Sequence, residues 1–177
     1  MSNGFYTNAG KSTLLNVLTH AEVYTADRLF ATLDPTTRKI VITDPQTQER
    51  RSVLLTDTVG FIHELPPPLM DAFRATLEEV TEADALLHVV DLSHPAWQSH
   101  IRSVMEVLEE MPALPGKAMI AFNKMDRVDS ETLALAQQEY PEAVFISATQ
   151  SLGLDTLRQR LVQFIDDGVL SPTLIKQ

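Results

Sequence analysis

The chain alternates between apolar runs and amphipathic stretches. Three nearly continuous apolar runs, at 85–91, 117–124 and 143–147, predict strands that are covered on both faces. Because strands that alternate with helices need crossover connections, the pattern predicts an α/β fold with a mostly parallel sheet and helices on both faces. Apolar residues at helical spacing predict those helices at 10–20, 69–82, 97–111, 131–139 and 154–167.

A different pattern follows the first predicted helix. Residues 23–37 mix polar residues with a proline and show no clean period, which indicates a long loop. Two apolar segments come next, "RKIVIT" at 38–43 and "RSVLLTD" at 51–57, and they flank the turn-forming stretch "DPQTQE". This arrangement predicts a β-hairpin, which adds one antiparallel strand to the sheet.

Length and composition fit one globular domain. The chain has 177 residues, of which 44% are hydrophobic and 21% charged, and we assign 1–168 to the domain and 169–177 to a linker or the start of a further segment. The net charge of −10 argues against tight non-specific binding to nucleic acid, so no DNA partner is expected. No apolar run approaches the ~20 residues that span a bilayer, and the first residues lack the order of a signal peptide. We therefore predict a soluble, cytoplasmic chain without a membrane span.

The candidate chemistry begins at "NAGKST", which matches the second half of the phosphate-binding pattern G-x-x-x-x-G-K-[ST]. Backbone N–H groups at the start of a helix can cradle phosphate oxygens, and Lys11 would reach the β and γ phosphates while Ser12 ligates Mg²⁺. The first glycine of the pattern would fall at Phe5, and an ordinary helix start on the surface is the alternative. The nucleotide contacts predicted from this stretch are Asn8, Ala9, Gly10, Lys11, Ser12 and Thr13.

The motif "NKMD" follows the second apolar run and indicates guanine. A carboxylate at Asp126 can accept hydrogen bonds from N1–H and the exocyclic amine of guanine, whereas adenine offers neither donor. An unpaired buried carboxylate would be costly, which gives selectivity. Asn123 would brace the loop, and Lys124 would lay its aliphatic stem over the base. A polar turn after a strand is the alternative interpretation.

Two shorter motifs also follow predicted strands, at the edge where parallel sheets bind ligands. In "DTVG", the Asp57 carboxylate can hold the Mg²⁺ shell, and the Gly60 N–H can approach the γ-phosphate without interference from a side chain. In "SAT", Ser147 ends the strand, and the Ala148 N–H could donate to guanine O6. In this order and spacing, the four motifs predict a GTP-binding fold.

Together these segments resemble the GTPase domain of the HflX family of translational GTPases. The similarity is carried by "YTNAGKSTLLN", "LFATLDPTTR", "LTDTVGFIHELP", "VVDLSHP" and "NKMD", and it runs from about Tyr6 to Asp167. The resemblance implies a G domain of the P-loop NTPase fold that binds and hydrolyses GTP with Mg²⁺. It also implies a partner, which is the large ribosomal subunit or a stalled ribosome.

The resemblance assigns further roles. Thr32 matches the switch I threonine, which closes on Mg²⁺ and the γ-phosphate, and 61–68 would be switch II. Phe61 stands where many small GTPases carry a water-orienting glutamine, so slow hydrolysis without a partner is expected. His63 is a possible helper, although a solvated switch histidine is the preferred interpretation. Asn8 matches an asparagine that coordinates K⁺ in some related GTPases, and a loop asparagine that satisfies its own backbone is the alternative. The candidate catalytic residues are Asn8, Lys11, Thr32 and Gly60, and the candidate metal ligands are Ser12, Thr32 and Asp57.

The beginning of the chain departs from this family. Family members carry an apolar first strand that ends in the first glycine of the loop, whereas this chain has "MSNGF", so that strand is expected to be missing or replaced. Two hypotheses stay open: a GTPase, or a nucleotide-incompetent G-domain remnant that acts as an interaction module. A P-loop ATPase or small-molecule kinase is disfavoured by "NKMD".

Overall fold

The computed structural model describes residues 9–19, 36–48, 50–57, 85–109, 118–166 and 173–176. The helices are α1 (Lys11–Thr19), α2 (Trp97–Glu109), α3 (Ser130–Glu139) and α4 (Leu154–Asp166), with a short 3₁₀ helix at Met125–Arg127. The strands are β1 (Thr36–Thr43), β2 (Arg50–Asp57), β3 (Ala85–Asp91), β4 (Ala118–Asn123), β5 (Val144–Phe145) and β6 (Thr173–Lys176). No helix in these ranges is long and apolar enough to cross a membrane.

The strands form one mixed sheet in the order β1-β2-β6-β3-β4-β5. β1 pairs with β2 in antiparallel register, and the other pairs are parallel. This confirms the predicted α/β fold, the mostly parallel sheet and the hairpin. β5 is shorter than the predicted strand at 143–147, because the chain turns there and Ser147 instead forms an antiparallel bridge with Leu152.

β6 is a strand that the apolar pattern does not predict. It lies between β2 and β3, where Leu174 is in register with Leu55 on one side and Ala85 on the other. Within the stretch interpreted as a linker, residues 173–176 therefore take part in the sheet. A four-residue segment has too little periodicity to reveal a strand, and pairing on both sides decides its conformation.

Two expectations concern residues outside the described ranges. The helix predicted at 69–82 lies outside them, and so does the stretch 1–5, where a first strand is expected to be missing. The long loop predicted at 23–37 also falls outside them, except for its last two residues, which belong to β1.

Helices cover both faces of the sheet, as predicted. Because neighbouring residues of a strand face opposite sides, Val89 and Val90 of β3 belong to two different apolar clusters. α1 and α4 form the first cluster with the sheet, and its members include Leu14, Leu18, Leu87, Val89, Ala121, Ile146, Leu157 and Leu161. α2 and α3 form the second, and its buried members are Val90, Leu92, Trp97, Ile101, Phe122 and Ala136.

Among the buried polar side chains, His88 lies in the middle of β3 and is only 4% exposed. Its Nδ1 atom has no hydrogen-bond partner among the residues that the structure describes. Burial penalises the charged imidazolium and lowers the pKa of His88 to about 4. The side chain is therefore neutral at physiological pH.

Candidate functional site

The predicted motifs meet at the carboxyl ends of the parallel strands. Asp91 at the end of β3 is in register with Asn123 at the end of β4. Asp57 ends β2 in the same direction, and β6 places it level with Leu87 of β3. This edge is the one at which open α/β sheets bind ligands, so the strand order brings the aspartate of "DTVG" and the asparagine of "NKMD" to one side of the domain.

The Asn123 side chain joins three of the predicted motifs. It is only 2% exposed, and its Nδ2 atom donates to the Ala9 carbonyl at 2.8 Å. Its Oδ1 atom accepts from the Ala148 N–H at 3.0 Å. An amide is suited to this position because it offers a donor to one loop and an acceptor to the other. One buried group thus fixes the phosphate loop and the "SAT" loop relative to the "NKMD" loop.

The phosphate loop requires glycine where it meets Asn123. Gly10 has a φ of +80°, and a Cβ at this position would collide with the Asn123 amide. The Leu14 N–H donates to the Gly10 carbonyl at 2.9 Å, so helical bonding begins directly at this residue. Lys11 and Ser12 follow in the first turn of α1, and both are half-buried. The first turn of a helix presents backbone N–H groups that have no acceptor within the helix, and these groups suit an anion.

The "NKMD" loop, which is predicted to bind the base, turns sharply after Asn123. Lys124 lies in the left-handed region, with φ 65° and ψ 32°, and its carbonyl accepts from the Arg127 N–H at 3.0 Å. The Met125 N–H donates to the Ile146 carbonyl at 3.1 Å, which ties this turn to the segment after β5. Asp126 is exposed within the turn, so a ligand can reach its carboxylate.

The "SAT" loop is held by its own hydrogen bonds. The backbone of Ser147 exchanges two hydrogen bonds with Leu152, at 3.0 and 3.1 Å, and the Ser147 hydroxyl accepts from the Gln150 N–H at 3.2 Å. The Ala148 N–H, which is predicted to meet guanine O6, donates to Asn123 here. Contact with O6 therefore requires this N–H to be shared between two acceptors or to turn away from Asn123.

Asp91 is a residue of this edge that the motif analysis does not single out. Its Oδ2 atom accepts from Lys124 Nζ at 2.6 Å, and its Oδ1 atom accepts from the N–H and the hydroxyl of Ser93 at 3.0 and 2.6 Å. Its signal in the sequence is an acidic residue directly after the buried run "ALLHVV", a position that places it at the ligand edge of a parallel sheet.

Several predicted site residues lie outside the described ranges. They are Asn8, Thr32 and Gly60, together with the switch II positions Phe61 and His63. The structure therefore brings together Ala9, Gly10, Asn123 and Ala148 by direct contact, with Lys124, Asp126 and Ser147 in the adjoining loops.

A phosphate loop joined to "NKMD" and "SAT" loops at the carboxyl edge of a parallel sheet defines a P-loop nucleotide-binding domain of the GTPase class. Comparisons with known proteins agree with this class. Residues 6–124 match the family model described as 50S ribosome-binding GTPase. GTPase HflX of Treponema denticola is 48% identical over 162 residues, which are 90% of this chain and 41% of that protein.

A second HflX protein and one solved structure are also similar to this chain. GTPase HflX of Escherichia coli is 42% identical over 171 residues, which cover 96% of this chain and 39% of that protein. A crystal structure of an SsGBP mutation variant superposes with a TM-score of 0.70 at 29% identity, over 93% of this chain and 54% of that one. The chain therefore belongs to the 50S ribosome-binding GTPase family, as a GTP-binding G domain of the HflX type. It spans about two fifths of the length of these HflX relatives.

Proposed function

We propose that this chain binds GTP and GDP together with Mg²⁺ and hydrolyses GTP, slowly when no partner is present. The observation that carries the proposal is the buried Asn123 side chain, which joins Ala9 of the phosphate loop to Ala148. Because one group holds both ends of the site, a nucleotide can contact the phosphate loop and the base loop at the same time.

Recognition of the base is assigned to the loop after β4. The exposed carboxylate of Asp126 accepts from guanine N1–H and the exocyclic amine, and the stem of Lys124 covers one face of the ring. The Ala148 N–H supplies a donor for guanine O6 when it shares its present bond to Asn123. Adenine carries an acceptor at N1 and an amine at position 6, so it leaves Asp126 unpaired and brings a donor against Ala148.

Binding of the phosphates is assigned to the start of α1. Backbone N–H groups from Ala9 to Thr13 surround the phosphate oxygens, and Lys11 neutralises charge on the β and γ phosphates. The hydroxyl of Ser12 and the carboxylate of Asp57 fit Mg²⁺, which prefers oxygen ligands, and both residues belong to segments that end or begin at the ligand edge. When bound, Mg²⁺ supplies charge neutralisation at the β and γ oxygens. Thr32 would complete the ligands, and the Gly60 N–H would contact the γ-phosphate.

Slow hydrolysis is proposed because Phe61 cannot orient a water molecule by hydrogen bonding. A K⁺ ion held with the help of Asn8 would compensate, since a cation near the transferred phosphate stabilises developing charge as an arginine finger does. The test is the turnover number in KCl compared with NaCl at equal ionic strength. We expect faster turnover in KCl, and equal rates would contradict the K⁺ assignment.

The proposed partner is the large ribosomal subunit or a stalled ribosome in the cytoplasm. It is supported by the description of the matched family as 50S ribosome-binding and by the similarity to HflX proteins. Since the net charge is −10, contact with ribosomal RNA would have to use a local patch. Co-sedimentation with isolated large subunits tests this, with a non-hydrolysable GTP analogue and with GDP. Equal absence from the ribosomal pellet in both states would contradict the partner assignment for this chain.

Calorimetric titration with GDP and with ADP, each with and without Mg²⁺, tests the central proposal. We expect tight binding of GDP that weakens when Mg²⁺ is removed, and no binding of ADP. Asp155→Asn is a control, because Asp155 lies on α4 in an exposed ion pair with Arg158 and belongs to none of the predicted motifs. Failure to bind either nucleotide would favour the interaction-module alternative instead.

A further inference from the structure

The Asp91 carboxylate is fixed by its own turn before it meets another loop. Its Oδ1 atom accepts from both the N–H and the hydroxyl of Ser93, two residues further along the chain. Its Oδ2 atom is left to face Lys124 Nζ at 2.6 Å. So short a distance indicates a charge-assisted hydrogen bond. The carboxylate is therefore pre-oriented toward the lysine of "NKMD".

Both the backbone and the ammonium group of Lys124 are held in place. A residue other than glycine in the left-handed region is strained and persists only when its surroundings hold it there. Lys124 adopts this conformation directly after the buried Asn123. Asp91 and Asn123 are in register, and the Leu92 N–H donates to the Asn123 carbonyl at 3.0 Å, so the two strand ends keep a fixed separation.

The ion pair between Lys124 and Asp91 is partly shielded from water. The side chains of Lys124 and Asp91 are 20% and 21% exposed, whereas the Asp155 partner of the α4 ion pair is 77% exposed. Ion pairs on the open surface contribute little because water and salt screen them and because two long side chains must be ordered. Here the carboxylate is already ordered by Ser93, which leaves less entropy to lose when the lysine pairs with it.

We propose that Asp91 is a positioning residue for nucleotide binding, which holds the Lys124 stem across the edge where the base binds. This inference rests on the proposed function. A stem that is already held loses less conformational freedom when a base covers it, so Asp91 raises affinity without touching the nucleotide. A residue with only a structural role would change the free energy of unfolding and leave the affinity of the folded protein for GDP unaltered.

The test is a double-mutant cycle on the 177-residue chain, with GDP affinity measured by calorimetry and unfolding followed by circular dichroism. We expect Asp91→Ala to weaken GDP binding about tenfold, which corresponds to ~1.4 kcal/mol. Lys124→Met keeps the apolar stem but removes the ammonium group, and in that background Asp91→Ala is expected to cause no further loss of affinity. Asp155→Ala is the matched control for loss of an ion-paired aspartate, and its GDP affinity should equal that of the unaltered chain.

The outcomes separate this inference from the function on which it rests. Unaltered protein that fails to bind GDP would contradict both. Unaltered protein that binds GDP, with equal affinity after Asp91→Ala or with additive losses in the cycle, would contradict the role of Asp91 alone. Should Asp91→Ala not fold, Ser93→Ala removes one donor to the Asp91 carboxylate and is expected to weaken GDP binding about threefold, less than 1 kcal/mol. No loss in that variant would overturn the inference.

Discussion

The residues proposed to bind the base come from one continuous stretch, residues 118–153, whereas the proposed phosphate-binding end depends on a contact between distant parts of the chain. In the stretch 118–153, Met125 bonds to Ile146 and Ser147 bonds to Leu152. At the phosphate end, Ala9 is fixed by a side chain 114 positions away, Asn123. The difference indicates that changes within the base loop should alter selectivity locally, while loss of Asn123 should affect both ends together.

The largest expected effect is a change of selectivity confined to the base end. Asp126→Asn should reverse the preference from guanine toward xanthine nucleotides, because an amide can donate to the xanthine O2 where the carboxylate accepts from the guanine amine. We expect the ratio of GDP to xanthosine diphosphate affinity to fall about a thousandfold, since the side-chain amide sets a donor against the guanine amine but donates to the xanthine O2, while N1–H keeps an acceptor in both bases. Competition calorimetry measures this ratio. Unchanged guanine selectivity would refute the role of Asp126, and Asp155→Asn serves as the control.

Asn123→Ala is expected to disturb both ends at once. The Ala148 N–H loses its partner in a buried place and the Ala9 carbonyl loses it in a partly buried one. Each unsatisfied group costs about 1–3 kcal/mol, so the free energy of unfolding should fall by about 4 kcal/mol. Urea denaturation measures this change. Gln98→Ala is the control, because it removes an exposed amide that bonds to Glu139 and should cost less than ~0.5 kcal/mol. Similar losses of unfolding free energy in the two variants would contradict the stabilising role assigned to the Asn123 hydrogen bonds.

Acid should lower the free energy of unfolding through His88, which lies in β3, the strand that ends beside the "NKMD" loop. The pKa of His88 is lowered from 6.5 to about 4 by burial, so the unfolded chain takes up a proton below pH 6.5 while the folded chain does not until about pH 4. The free energy of unfolding should therefore fall as pH drops from 6.5 to 4, by about 3 kcal/mol from this group. His88→Leu should lose that part of the pH dependence, measured by urea denaturation at several pH values. Equal slopes for both proteins would contradict the assignment.

The two loop glycines give the smallest expected effects and compare the two ends directly. Both have positive φ, +69° at Gly153 and +80° at Gly10. An added Cβ at Gly153 meets the backbone carbonyl of Phe145, whereas one at Gly10 meets the terminal amide nitrogen of Asn123, which can shift only by lengthening its hydrogen bond to the Ala9 carbonyl. We expect alanine to cost about 2 kcal/mol at Gly153 and about 1 kcal/mol at Gly10 in urea denaturation. Reversed order would mean that the Asn123 side chain is held more rigidly than the backbone of β5 at Phe145.

Much of the fold follows from local pattern. The hairpin and the strands β3 and β4 lie where apolar runs and turn residues predict them. The reason is that burial on one or both faces of a strand sets the spacing of its apolar residues. β6 is not predicted by such a pattern, because four residues are too few to show a period and their conformation depends on two neighbouring strands. The shortness of β5 likewise depends on the Ser147 to Leu152 bridge, which apolar periodicity does not report.

The candidate site divides in the same way. "NKMD" and "SAT" identify their loops because the chemistry of guanine recognition restricts residue type at fixed spacing. The role of Asn123 as the buried link to Ala9 depends on a separation of 114 residues, and the pairing of Lys124 with Asp91 depends on the register of two strands. The sequence by itself determined the motifs that indicate a guanine nucleotide and the order of the described helices and strands from α1 to α4, because both depend on residue type and local period. Only the tertiary structure decided which side chains meet, because hydrogen bonds and ion pairs between distant segments depend on how strands are ordered and registered in the sheet.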